Sequence, residues 1–346
     1  MKKVWKVLLC LVLALGGLLG WLTATEYRPA AVEALSPLTD KAAGALSAGE
    51  ELRVVSWNIG YAGLGAASDF FMDGGKNARS ADRAAVETYL ANIRAFLEER
   101  DYDLALVQEA DVDSSRTYAV DEAAALSRGD SFFAYNYSCP FVPVPFPPMG
   151  KVNSGLLTVS GAQVEKAERI SLPCPFSWPI RAVNLKRCLQ VSCLPIEGSD
   201  KQLVLVNLHL EAYTEEEGRA AQMQQLCAFM EQEYQKGNYV IAGGDFNSVF
   251  PFTTDRYPIT TAELWEPGMI SAGDLPGGFQ LVCDDSTPTC RLLNQPYDPA
   301  DTVNTQYYVI DGFILSPNVT LRSVETVDLA FADSDHNPVE IAVSLD

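Results

Sequence analysis

The segment Val240-Ile-Ala-Gly-Gly-Asp245-Phe-Asn247 leaves the chain few options. A short run of apolar and small residues reaches Gly-Gly, and then a carboxylate and, two places on, a carboxamide. This reads as a buried strand whose end delivers Asp245 and Asn247 into a cleft, with the glycines allowing close approach. The same composition also serves ordinary turns, so the decisive question is whether other strands end the same way. They do. Leu52 to Trp57 ends in Asn58, Tyr102 to Gln108 ends in Glu109, Leu203 to Leu208 ends in His209, and Tyr308-Val-Ile ends in Asp311. Asp335-His336 stands just before the apolar run Val339 to Val343.

Two helices interrupt this β-rich order. Ser80 to Glu99 carries Val86, Leu90, Ile93 and Leu97 at helical spacing, and Glu215 to Tyr234 carries Met223, Leu226, Phe229 and Met230. About a dozen strands with two such helices predict an α/β (α+β) body of two packed sheets with helices outside. Residues 51–346 read as one domain. Phe132 to Tyr137 is an expected strand, and Cys139 to Met149 is too rich in proline for regular structure. Ser154 to Ser160 and Val164 to Leu172 are expected to pair antiparallel across Gly161. Val183 to Leu194 and Tyr307 to Leu315 are each expected as one strand. Residues 26–50, rich in Ala, Pro and Ser, form a linker or wrapping segment.

Residues 1–25 are a separate object. Lys2, Lys3 and Lys6 precede Val7 to Ala24, an almost unbroken apolar run. Such a pattern is an export signal or a short membrane anchor, and the absence of an Ala-x-Ala site favours the uncleaved anchor. The lysines would stay cytoplasmic, placing the body on the extracytoplasmic face of the membrane, or secreted if the segment is cleaved. Without those three lysines, 22 Lys+Arg face 45 Asp+Glu, a net charge of −23. That charge opposes nonspecific binding of a nucleic-acid backbone. The seven cysteines beyond the anchor form no metal-binding spacing, although Cys283 and Cys290 could bridge after export.

The chain has two histidines, His209 and His336, each beside polar residues at a strand end. A histidine acting as general base needs a carboxylate on its other ring nitrogen, and Asp311 and Asp335 are both candidates. Glu109 and Asn58 offer oxygens suited to a hard cation such as Mg²⁺. If these ends converge, they assemble a metal site, two imidazoles, an orienting carboxylate and a proton-handling pair. That set suits phosphate-ester hydrolysis. No phosphate-binding lysine loop, nucleophilic serine elbow or thiolate site competes with it.

In chain order, Trp57-Asn58-Ile59, Gln108-Glu109, Asn207-Leu-His209-Leu, Gly244-Asp245-Phe-Asn247, Ile310-Asp311 and Ser334-Asp335-His336-Asn-Pro338 resemble the motifs of the endonuclease/exonuclease/phosphatase superfamily. The resemblance covers residues 51–346. It implies a four-layer α/β/β/α sandwich of two mostly antiparallel sheets and cleavage of phosphoesters with Mg²⁺, or Mn²⁺ in its place. By motif, Glu109 would hold the metal with Asn58 near it and Asp335 assisting. His336 would activate water, oriented by Asp311. His209 would stabilise phosphate charge, and Asp245 and Asn247 would bind phosphate or water and assist proton transfer. Gly60 stands where some nucleases place a further acid.

Three loops bear on the substrate: Asp69 to Lys76, Cys139 to Lys151 and Pro175 to Pro179. Their aromatic and proline content either packs them onto the core or, if exposed beside a membrane anchor, favours a lipid headgroup or small phosphodiester over nucleic acid. Lys76, Arg79, Arg116, Lys151, Arg181 and Arg187 could supply positive charge for phosphate. An extracellular nuclease acting on DNA or RNA is the alternative, and a non-catalytic binding module the second. A monomer is expected.

Overall fold

The computed structural model describes residues 2–42, 44–214, 216–260, 264–301 and 303–345. In chain order the sheet strands are β1 (Val32–Ala34), β2 (Pro37–Thr39), β3 (Glu51–Asn58), β4 (Leu104–Asp111), β5 (Asp130–Val142), β6 (Gly150–Ser160) and β7 (Lys166–Ser171). They continue with β8 (Cys188–Pro195), β9 (Gln202–His209), β10 (Tyr239–Asp245), β11 (Gln280–Val282), β12 (Asp311–Leu315), β13 (Val319–Thr326) and β14 (Val339–Leu345). The helices are α1 (Lys2–Ala24), α2 (Arg83–Arg100), α3 (Glu122–Leu126) and α4 (Glu216–Gln235). The expected start of the last helix, Glu215, lies outside the described residues.

Two seven-stranded sheets result, ordered β1-β7-β8-β9-β10-β12-β11 and β13-β14-β3-β4-β6-β5-β2. Neighbours in them are antiparallel except β9/β10 and β3/β4, which are parallel. Each parallel step needs a long crossover, and each has a helix: α4 between β9 and β10, α2 between β3 and β4. Strand alternation then builds four layers. Leu203, Leu205 and Ile241 point between the sheets with Leu52, Val54, Leu104 and Leu106. Val204, Val206, Val240 and Ala242 point outward onto Met223, Leu226 and Met230 of α4. Val55, Trp57, Ala105 and Val107 point the other way, onto Val86, Leu90, Ile93 and Leu97 of α2. This is the expected sandwich. Leu226 is fully buried at the α4 contact, so Leu226→Ala is expected to cost about 2–5 kcal/mol, measurable by denaturant unfolding.

Several local expectations are corrected. β6 and β7 do not pair across Gly161. Both edges of β6 are taken by β4 and β5, so the chain crosses to the other sheet and β7 joins β1 and β8. β5 continues through Pro140 to Val142, with its register shifted between Cys139 and Val142. A bulge there absorbs the missing proline donor. The strand expected from Val183 starts only at Cys188, after a 3-10 turn over Ile180–Val183. The strand expected from Tyr307 to Leu315 is broken: Tyr307–Tyr308 pairs with Cys290–Arg291, and Asp311 opens β12. Residues 26–50 wrap the body, with β1 on the edge of one sheet and β2 on the edge of the other.

Candidate active site

Sheet register alone places three of the expected residues in a row. At the end of β10, Asp245 is the direct partner of His209 on β9 and of Asp311 on β12. Gly244 makes that row possible: its φ is +154°, and a Cβ there would sit 1.9 Å from the Leu208 carbonyl oxygen. In the facing sheet, Asn58 is the partner of Gln108, and one residue later the ladder slips. The register of β4 against β6 shifts between Val107 and Ala110, and Glu109 takes φ 56°. A bulge of this kind re-aims a side chain, and here it turns Glu109 toward the first sheet. Asn247 also has positive φ, 47°. Strained non-glycine backbone of this sort gathers at functional sites.

All eight residues meet at one place. His336 Nδ1 lies 2.8 Å from Asp311 Oδ2, while its Nε2 lies 3.8 Å from Asp245 Oδ2 and 3.9 Å from Asp335 Oδ2. His209 Nε2 is 3.4 Å from Asp245 Oδ2 and 3.9 Å from Glu109 Oε1. Asn58 Nδ2 donates to Asp245 (2.9 Å) and, more weakly, to Glu109 (3.4 Å), and its Oδ1 accepts from the Gly60 amide (3.0 Å). The Asn247 amide donates to Asp245 Oδ1 (2.8 Å), and its side chain donates to the Leu210 carbonyl (2.9 Å).

The electrostatics follow from burying many carboxyls together. Burial, and the neighbouring Asp311, push Asp245 up to about 6. Burial pushes Asp335 up to about 7, with Glu109 adding to the rise and His336 opposing it. Burial would lower His336, but Asp311 at its ring nitrogen leads the opposing effects and holds it well above the ordinary imidazole value. His209 goes the other way: burial, then the positive Arg187 and His336, hold it well below, so it is neutral.

Two trios of potential ligand atoms lie within 4.8 Å of one another, Asp245/Asp311/His336 and Cys290/Asp335/His336. Glu109 is in neither, but its carboxylate faces the same space. Buried carboxyls with raised pKa values are groups that an added cation would stabilise, and oxygens from Glu109 and Asp335 are the donors a hard divalent ion takes. The residues therefore fit Mg²⁺. Gly60 belongs to this fit. With φ +50° it has the Asp335 carboxylate so close that a Cβ would stand 2.7 Å from Oδ1.

Sequence reasoning missed some of the surroundings. Cys290, a buried free thiol, pairs by a β-bridge with His336 and lines the same cleft. Cys283 is free as well. Asp73 accepts a hydrogen bond from Tyr213 (2.8 Å), and burial pushes its carboxyl up to about 6. Buried Thr289 accepts from the Asp311 amide at 3.2 Å. These residues come from irregular segments, where no periodicity marks them. Of the six basic residues considered for phosphate, Arg116 and Arg187 line the cleft. Arg116 is occupied by Asp111 (2.8 Å). Arg187 is buried, lies 3.5 Å from Glu211, and has no hydrogen-bond partner on Nε or Nη1 among the described residues. Arg79 instead binds the Pro148 carbonyl, Lys151 pairs with Asp113, and Arg181 with Glu26.

The cleft holds about 520 Å³. Glu109, His209, Asp245 and His336 are among its polar lining, and Phe70, Val142, Met149, Ile180 and Leu22 are among its apolar lining.

Solved structures share this fold. An endonuclease/exonuclease/phosphatase from Beutenbergia cavernae superposes with TM-score 0.54 at 16% identity, covering 85% of this chain and 72% of that one. An endonuclease/exonuclease/phosphatase family protein from Bacteroides thetaiotaomicron gives 0.53 at 15% identity, covering 86% and 99%. One from Leptotrichia buccalis gives 0.51 at 14% identity, covering 84% and 98%. At such identities the likeness concerns the fold. No curated protein matches the sequence. The pattern of the Endonuclease/Exonuclease/phosphatase family, however, runs from residue 55 in β3 to residue 336, the second histidine, and by that match the chain belongs to this family.

Proposed function

We propose that the protein hydrolyses a phosphodiester or phosphomonoester with Mg²⁺, or Mn²⁺ in its place, and that His336 is the general base. Members of the family are generally metal-dependent phosphoester hydrolases. The observation that carries the reading is the pairing of His336 Nδ1 with Asp311 at 2.8 Å, which leaves Nε2 facing the cleft. Water between Nε2 and phosphorus gives up a proton to the imidazole as its oxygen attacks. Asp311 fixes the ring and stabilises the cation formed. Neutral His209 donates its N–H to a phosphoryl oxygen, and the guanidinium of Arg187, which lies beside Glu211, binds another. Asp245, with a pKa of about 6, and Asn247 handle the proton taken by the departing oxygen. One P–O bond forms, one breaks, and no redox partner is needed. Glu109 and Asp335, with Asn58 beside Glu109, would hold Mg²⁺, which when bound supplies positive charge against the developing phosphoryl charge and offsets the carboxylate field keeping His336 protonated.

We read α1 as a membrane anchor, with Lys2, Lys3 and Lys6 cytoplasmic and the body outside, acting as a monomer. The helix is long and apolar enough to cross a membrane. Bis-p-nitrophenyl phosphate with Mg²⁺, with chelator and with Mn²⁺ added back tests the chemistry. Hydrolysis should stop with chelator and return with either ion. Turnover that ignores the chelator would sink the reading. Duplex DNA in the same assay tests the nuclease alternative, and little cleavage is expected from a body of net charge −23.

A further inference from the structure

We propose that the substrate is a membrane lipid with its phosphoester in the headgroup, taken by this cleft directly from the bilayer that α1 crosses. The proposal rests on the phosphohydrolase reading and adds what the site acts on.

Its basis is the position of the last turn of α1. Leu19, Leu22 and Thr23 line the same cleft as Glu109, His209 and His336. That turn is fixed to the body. Leu22 is 3% exposed, Trp178 Nε1 donates to Thr23 Oγ1 at 3.0 Å, and Glu26 just beyond receives Arg181 at 2.9 Å. The remainder of the helix projects free, with Trp5, Leu9 and Leu13 more than half exposed. Its 23 residues extend about 34 Å at the helical rise, against a hydrocarbon core of about 30 Å. No spare turn separates membrane from body, so the turn that walls the cleft is the turn that leaves the bilayer.

The surface around that turn matches a membrane. Val144 and Phe146, between β5 and β6, are 54% and 96% exposed, and Trp178 and Ile180 are 56% and 57% exposed. Val144 and Ile180 also line the cleft. Apolar side chains this exposed, on loops that also line the cleft, mark an interaction surface. Tryptophan is also the residue that favours the membrane interface. A water-soluble phosphoester has no use for an apolar wall leading from catalytic carboxylates to a bilayer. A lipid uses both ends: its phosphate meets His209 and Arg187, and its chains stay against Leu19, Leu22 and Ile180. Hydrolysis adds water across one headgroup P–O bond, leaving one product in the membrane and releasing the other.

The test uses the full chain in phosphatidylcholine vesicles. These are doped in turn with phosphatidylglycerol, a phosphatidylinositol phosphate, sphingomyelin or a polyprenyl diphosphate, with bis-p-nitrophenyl phosphate assayed in parallel. At least one vesicle lipid is expected to turn over about tenfold or more faster than the soluble ester. Phe146→Ser and Phe146→Asp, at an exposed position that does not line the cleft, should lower lipid turnover at least fivefold and leave soluble-ester turnover unchanged. Mg²⁺-dependent hydrolysis of the soluble ester with no lipid product overturns the lipid proposal alone. So do variants that slow both substrates equally or neither. If neither substrate is hydrolysed, the phosphohydrolase reading falls and the lipid proposal with it.

Discussion

His336→Ala is expected to lose at least about 10³-fold in turnover of any phosphoester the protein accepts, within the range for removal of a general base. The fold should survive, because the backbone at this position is held without the imidazole. The His336 amide donates to Ser334 Oγ (3.1 Å), and its carbonyl accepts from Trp57 Nε1 (2.9 Å). A complication comes from Asp311, whose Oδ2 loses its partner while its Oδ1 has none among the described residues. A buried carboxylate stripped of its partner costs about 3–5 kcal/mol, so His336→Ala should also melt earlier. His336→Asn separates the two effects. Its carboxamide can still donate to Asp311 but cannot accept the water proton, so it should be equally inactive and melt closer to the parent. The check is turnover with circular dichroism and thermal melting on the same preparations. An active Asn variant would remove His336 from the base role.

Sequence made the ends of the strands legible because a buried strand announces itself by an apolar run and an abrupt change of polarity. Asp245, His209 and Asp311 needed only that signal, and the register of β9, β10 and β12 then set them side by side. What periodicity does not encode is which strands are neighbours. Ser154 to Ser160 and Val164 to Leu172 look like a hairpin around Gly161, yet the competition for β6 is won by β4 and β5 from elsewhere in the chain. Glu109 shows a subtler limit. Its position at a strand end was visible, but its aim depends on a bulge and a left-handed backbone that no spacing reveals. Cys290, Asp73 and Tyr213 could not be assigned to the site for a plainer reason: they sit in short or irregular segments and gain meaning only through contacts across long stretches of chain. The contact between the end of α1 and the cleft is of the same kind. The apolar run of α1 was legible as a membrane segment, and its place beside the catalytic residues was not.

Glu109→Gln should abolish the response to Mg²⁺ as well as turnover, and the two losses together distinguish a metal ligand from a hydrogen-bonding residue. Gln has the same length and can keep the left-handed backbone as readily as Glu, so little packing changes. What changes is charge. Glu109 adds to the field that raises Asp335 to about 7 and also Asp73 to about 6. Without a cation, neutralising it relieves repulsion, and the chelator-treated variant should melt no lower than the parent. With Mg²⁺ the order reverses. A ligand that binds only the folded state stabilises it by RT ln(1 + [L]/Kd), about 2.7 kcal/mol at a hundredfold excess over Kd. The parent should gain several degrees in melting temperature, and the variant almost none. Turnover should fall by about 10²-fold or more, with no recovery at high Mg²⁺. A variant whose midpoint rises with Mg²⁺ as far as the parent's would show that the ion sits elsewhere among these carboxylates, and the Cys290/Asp335/His336 and Asp245/Asp311/His336 trios would become the places to look.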